Sequence, residues 1–144
     1  MDPRAMLRLG YGLVPIVAGA DKFTNRLADW DQYLSPAVKR TLPMRPRTFM
    51  KLVGVVEIAA GLTVLSPLRK SGAYLVAAWL AGITLNLIST GEYFDIAARD
   101  ALLALGALSL GQLETPARTA TQEQPRAAVA PQKKRETTVA PAMN

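Results

Sequence analysis

Apolar residues in this chain gather into four long blocks separated by short polar stretches. The blocks run from about Leu7 to Phe23, Phe49 to Leu65, Ala73 to Ser89 and Ile96 to Leu113. Each is about 17–18 residues long, near the shortest helix that spans ~30 Å of hydrocarbon. The third block carries no charge from Ala73 to Ser89. A helix of a water-soluble bundle shows a polar face every three to four residues, and this block has none. The pattern predicts an all-α fold, a four-transmembrane-helix bundle over residues 1–113. Residues 114–144 are rich in Ala, Pro, Gln, Thr and charge, with prolines at 116, 125, 131 and 141. That stretch has too little apolar surface to offset its ordering entropy, which predicts a disordered C-terminal tail.

Small residues punctuate the blocks. Gly12 and Gly19 in the first and Gly54 and Gly61 in the second share a seven-residue spacing, which repeats one helix face. The spacing hints at two similar packing seams and weakly at an internal repeat. Ala78 and Gly82 form a small-xxx-small pair in the third block, the kind that lets helices approach closely in lipid. Pro15 is a candidate kink. A rival reading takes Arg4 and Arg8, the apolar run and Ala18-Gly19-Ala20 as a signal peptide with its cleavage site, leaving three helices. Among the connections, residues 24–48 form the longest, and its Trp30, Tyr33 and Leu34 suit an amphipathic segment at headgroup level. Residues 66–72 read as a tight turn, and residues 90–95 as a short acidic one.

The candidate chemistry is the polar residues within or at the rims of the blocks. Glu57 interrupts an apolar run from Leu52 to Leu65. A carboxylate at that depth costs about 2.5–3.5 kcal/mol on insertion scales, so it needs a partner, a proton or water. It is either half of a buried ion pair that fixes helix register or a proton- or ligand-binding carboxylate. Asp21 and Lys22 end the first block, Asn86 lies in the third, and Asp95, Arg99 and Asp100 open the fourth. Residue type makes Arg99 the candidate partner of Glu57, provided the fourth helix packs on the second. Asp95 and Arg99, four apart, suit a pair along one helix face. Asn86 suits a hydrogen bond across helices, and Lys51 suits snorkelling to the interface. Tyr11, Trp79, Tyr93 and Phe94 could line a quinone-sized cavity, or pack and anchor helices.

Composition narrows the function. The 144 residues include no Cys and no His, and the net charge is +6. Disulfides, thiolate catalysis, zinc-thiolate and iron–sulfur sites are excluded, as are Ser-His-Asp and Cys-His arrangements. No catalytic residue and no metal ligand set is assigned, and an enzyme acting alone is not the expectation. The basic residues lie between apolar blocks and in the tail, which fits charge at a membrane surface better than nucleic-acid binding. Four crossings place both termini on one side, with Arg4, Arg8, Arg69, Lys70 and the near-tail Arg118 and Arg126. The other side has Lys22, Arg26, Lys39, Arg40, Arg45, Arg47, Lys51 and Arg99. The positive-inside rule slightly favours this second set as cytoplasmic. Lys133-Lys134-Arg135 in the tail pulls the other way, and cytoplasmic termini are the expectation taken.

The ordered set of motifs resembles the DoxX-like family of small bacterial membrane proteins. The residues concerned are Arg8 to Val14 leading to Ala18-Gly19-Ala20-Asp21-Lys22-Phe23, then Gly54 to Gly61, then Tyr93 to Leu102. The resemblance covers about residues 4–113 and omits the tail. It implies a multi-pass protein of the bacterial inner membrane, and an association with quinone-linked or oxidative-stress oxidoreductase complexes. The expectation is then an accessory subunit with the bilayer and a redox partner protein as its partners, an oligomer being open. A polar cluster at Glu57, Arg99 and Asp100 would be its ligand site, with quinone the candidate cofactor, not covalently bound. The alternatives are a small proton-coupled or lipophile carrier, and a purely structural subunit of a larger membrane complex.

Overall fold

Three of the five α-helices start at proline, two of them with a side-chain cap. In a computed structural model that describes residues 2–114, α1 spans Pro3–Asp21, α2 Pro36–Thr41, α3 Pro46–Leu65, α4 Arg69–Ile88 and α5 Phe94–Leu113. A 3-10 turn, Trp30–Tyr33, precedes α2. The first three helices begin at proline, whose fixed φ suits the first helical position and whose missing N–H would be unpaired there anyway. Asp2 accepts from the Arg4 N–H at 3.3 Å, and Ser35 from the Val38 N–H at 3.2 Å. These prolines also start α1 and α3 a few residues before the apolar blocks do. The short α2 lies inside what the pattern read as one long connection.

Three of the helices, α3, α4 and α5, are each 20 residues long and apolar enough to cross a membrane, with mean hydropathy of 1.7, 1.5 and 1.3. At most 33% of each apolar window is buried, so most of their apolar surface faces outward. Leu52, Leu62, Leu85, Leu102 and Leu105 are all at least half exposed. A water-soluble bundle of this size would hide such a surface; an acyl environment suits it. The 19-residue α1 includes Arg4, Arg8 and Asp21 and is not among those three.

The four long helices run up and down in sequence order. α1 packs on α3, α3 on α4, α4 on α5, and α5 closes more lightly on α1. The α1–α3 contact is glycine-built. A Cβ on Gly19 would sit 2.5 Å from the Gly54 carbonyl oxygen, and one on Gly54 would sit 2.5 Å from the Gly19 oxygen. A Cβ on Gly61 would meet the Gly12 carbonyl, and one on Gly12 the Leu65 side chain. The matched seven-residue spacings are therefore the two sides of one antiparallel seam, not two seams or a repeat. They coincide because helices that cross closely must be open on both faces at the same two heights. Cleavage after Ala20 would remove one wall of this seam. The expected Ala78/Gly82 pair does not pack: both residues are exposed, and nothing lies within 4 Å of a Cβ at Gly82. α4 instead buries Gly72, Ala73, Val76 and Ala77.

The interior is divided along its length. Ala60, Val64, Ala73, Val76, Ala77, Ala107 and Leu110 form an apolar core, with Leu7, Tyr11 and Leu80 packed on it. These lie mainly toward the end of the bundle holding the start of α1 and the end of α5. The opposite half holds buried Asp21, Lys22, Glu57 and Asp100. Residues 24–45 fold over that half as a cap. Leu34, predicted for the headgroup level, is only 6% exposed. The tail predicted to be disordered lies outside the described residues from residue 115 onward.

Candidate functional site

Glu57 sits just past the middle of α3, on the face that meets both α1 and α4. The α1–α3 seam brings the chain leaving α1 against it. Lys22, the residue after α1, places its ammonium 2.6 Å from Glu57 Oε2, with side chains 3% and 7% exposed. The Trp79 indole N–H of α4 donates to the other oxygen, Oε1, at 3.4 Å. Above the pair, the Lys22 ammonium lies 3.6 Å from the centre of the Trp30 ring. A cation is attracted by an indole face, most strongly where water is excluded. Lysine and glutamate thus neutralise each other inside the protein, each with an indole as second partner.

The cap that carries Trp30 is held by two polar staples. Asp21 accepts from the Trp30 indole at 2.8 Å and from the Thr24 hydroxyl at 2.9 Å. It also accepts from the Arg26 and Leu27 backbone N–H groups at 2.9 and 3.0 Å. Four donors on one acceptor-only carboxylate suit its ionised form. The second staple is Asn86, whose Oδ1 accepts from the Ser35 N–H at 3.1 Å and whose Nδ2 donates to the Tyr33 carbonyl at 2.7 Å. Both ends of this amide are engaged, and with the cap rather than with another helix. The Tyr33 ring meets Tyr93 edge-on at 5.0 Å. Tyr93 has φ of 53°, a left-handed conformation uncommon outside glycine, at the residue that caps α5.

Of the residues singled out in the sequence, Asp21, Lys22, Glu57 and Asn86 come together in one assembly: an ion pair with its cap. Arg99, Asp100 and Asp95 do not join it. α5 packs on α4 and α1 rather than extensively on α3, so Arg99 has no route to Glu57. Arg99 instead pairs with its neighbour Asp100 at 2.9 Å, its side chain 64% exposed and that of Asp100 8%. Asp95 is exposed and, among the described residues, makes no ion pair. The spacing of four to Arg99 goes unused because Asp100 is nearer. The aromatic residues considered for one cavity find different partners. Tyr11 donates to the Leu103 carbonyl at 2.9 Å, Trp79 meets Glu57, Tyr93 meets Tyr33, and Phe94 is 59% exposed. Trp30 is the residue of this assembly that the sequence concealed. Its position in a polar connection marked it as an interfacial anchor, whereas it faces inward over Lys22.

The Lys22 ammonium is engaged by Glu57 Oε2 and the Trp30 ring, and Glu57 Oε1 by the Trp79 indole. A groove of about 400 Å³ lies elsewhere, between α4 and α5, lined by Ala81, Thr84, Leu85, Ala101, Ala104 and Leu105. Its one hydroxyl, Thr84, donates to the Leu80 carbonyl. Among the described residues no group of His, Cys, Asp or Glu suits a metal ion. No family model matches the chain, and no curated protein or solved structure matches it either.

Proposed function

We propose that the chain is an integral membrane protein in which α1, α3, α4 and α5 all cross the bilayer, and that it acts as a non-catalytic accessory subunit. The observation that carries this reading is the Lys22–Glu57 pair. Two opposite charges are buried, matched to each other and closed over by Trp30 and Trp79, inside a bundle whose outer surface is apolar. A carboxylate arranged in this way holds helices in register. In this reading α1 is the fourth crossing. Its glycine seam gives it the height of α3, Arg4 and Arg8 lie at one end, and Asp21 at the other is satisfied by the cap. With neither Cys nor His in the chain, electron transfer would fall to a partner. The resemblance to the DoxX-like family supports an oxidoreductase as that partner and a bacterial inner membrane as the location.

Purification in mild detergent, followed by identification of co-purifying proteins, tests the accessory role. A stoichiometric flavoprotein or thiol enzyme is the expected result, and a chain that purifies alone from its native membrane would contradict it. A carrier reading draws on one observation: at 3.4 Å the Trp79 bond leaves Glu57 Oε1 lightly held. Proton-coupled transport by the purified chain in liposomes, abolished by Glu57→Gln, would establish the carrier in its place.

A further inference from the structure

The two ends of the bundle differ in how their cations are used. At the end with the start of α1, Arg8 and Arg69 both pair with Glu114, at 3.4 and 2.7 Å. Among the described residues, Arg4 and Lys70 remain there without an acidic partner. At the capped end Lys22 is taken by Glu57 and Arg99 by Asp100. Arg26, Lys39, Arg40, Arg45, Arg47 and Lys51 remain, and none makes an ion pair among the described residues; Asp29, Asp31, Glu92 and Asp95 at this end make none either, and none of these four lies within the run from Lys39 to Lys51. Five of the six cations are exposed and Arg47 is half-buried.

Large apolar side chains lie between these cations, outside any membrane-length helix. Leu27 is 70% exposed, Phe23 43% and Met44 38%. Phe23 and Leu27 flank Arg26 in sequence, and Met44 precedes Arg45. The Arg47 guanidinium donates to the Phe23 carbonyl at 3.3 Å, which draws the two stretches together at the foot of α3. Cations beside exposed apolar groups suit the boundary between headgroups and acyl chains, where one needs anionic oxygen and the other needs hydrocarbon. A surface in free water has no use for the second.

We infer that the capped end lies on the membrane surface and that Lys39, Arg40, Arg45 and Lys51 bind the phosphates of anionic lipid headgroups, with Phe23, Leu27 and Met44 dipping below them. The inference rests on the membrane reading above. Lys and Arg clustered beside membrane crossings stay on the cytoplasmic side, so the cap faces the cytoplasm and both ends of the described chain face away from it. This reverses the placement expected when weight is given to Lys133-Lys134-Arg135. Those residues lie far along the chain from the last crossing, where charge has little hold on orientation.

The test uses the full chain reconstituted with equal phosphatidylglycerol and phosphatidylcholine, with the lipid retained on the purified protein measured by mass spectrometry. Phosphatidylglycerol is expected in excess. Lys39→Gln, Arg40→Gln and Arg45→Gln, added in turn, are expected to reduce that preference by roughly fivefold per cation. Arg4→Gln with Lys70→Gln at the other end is expected to leave it unchanged. Raised salt on the unaltered protein, which needs no variant to fold, is expected to weaken the preference as well. Equal retention of the two lipids, indifference to salt, or equal loss from the opposite-end pair would overturn the inference. Release of the chain from membranes by alkaline carbonate would instead overturn the membrane reading itself.

Discussion

At the scale of single residues, the decisive fact is that Glu57 is paired across the bundle with Lys22. Removing one member of a buried pair leaves an uncompensated charge, which costs about 3–5 kcal/mol. Lys22→Met and Glu57→Gln are each expected to lose that much in a reversible unfolding assay in detergent, and the double variant far less than their sum. Arg99→Met combined with Glu57→Gln is expected to be additive, since the two residues share no partner. A strong coupling to Arg99 and none to Lys22 would mean that the packing order of the helices is wrong. The sequence marked Glu57 as a residue in need of a partner, because an ionised group in an apolar run is legible in any one-dimensional pattern. Which cation answers it was not legible. Lys22 and Arg99 carry the same charge, and the order in which helices pack decides between them. Trp30 was misread for a related reason: aromatic residues in polar connections suit an interface and a cap equally well.

At the scale of elements, the α1–α3 seam determines where everything else lies. Gly54 faces Gly19 closely enough that a methyl group has nowhere to go without moving backbone. Gly54→Ala is expected to destabilise the bundle by about 1–3 kcal/mol, the usual cost of overpacking. Gly82→Ala, on an open face, is expected to be neutral or slightly stabilising, since alanine is the better helix former. Thermal unfolding of the two variants side by side checks this. The seven-residue spacing was visible in the sequence. Its meaning depended on α1 and α3 being antiparallel neighbours, which spacing alone does not state. Ala78 and Gly82 illustrate the converse: a motif with the right composition points outward because α4 meets both its neighbours through its other faces. The cap depends on Asn86, whose amide serves both Ser35 and Tyr33. Asn86→Leu is expected to loosen residues 24–45 and speed proteolysis there while the long helices stay protected. Unchanged cleavage would show that Asp21 holds the cap alone.

At the scale of the whole molecule, the chain is a bundle with an apolar core in one half and a paired, capped polar cluster in the other, wrapped in outward-facing leucine and valine. The all-α architecture and the four long helices followed from the blocks of apolar residues, because such runs have few other stable arrangements. The status of α1 as a crossing is less evident from hydropathy, since its charges lie at both ends. Its crossing is proposed from its seam with α3. That claim is tested most directly by site-directed labelling, for which the cysteine-free sequence is a ready background. Arg4→Cys and Ser71→Cys put a thiol at an exposed position in the first turns of α1 and α4, and Gln32→Cys and Glu92→Cys do so in the connections that follow α1 and α4. In sealed membrane vesicles an impermeant maleimide is expected to separate them into two pairs, positions 4 and 71 on one side and 32 and 92 on the other. Position 4 reacting together with 32 and 92 would show that α1 does not cross, and all four reacting from one side would contradict the membrane-spanning bundle altogether.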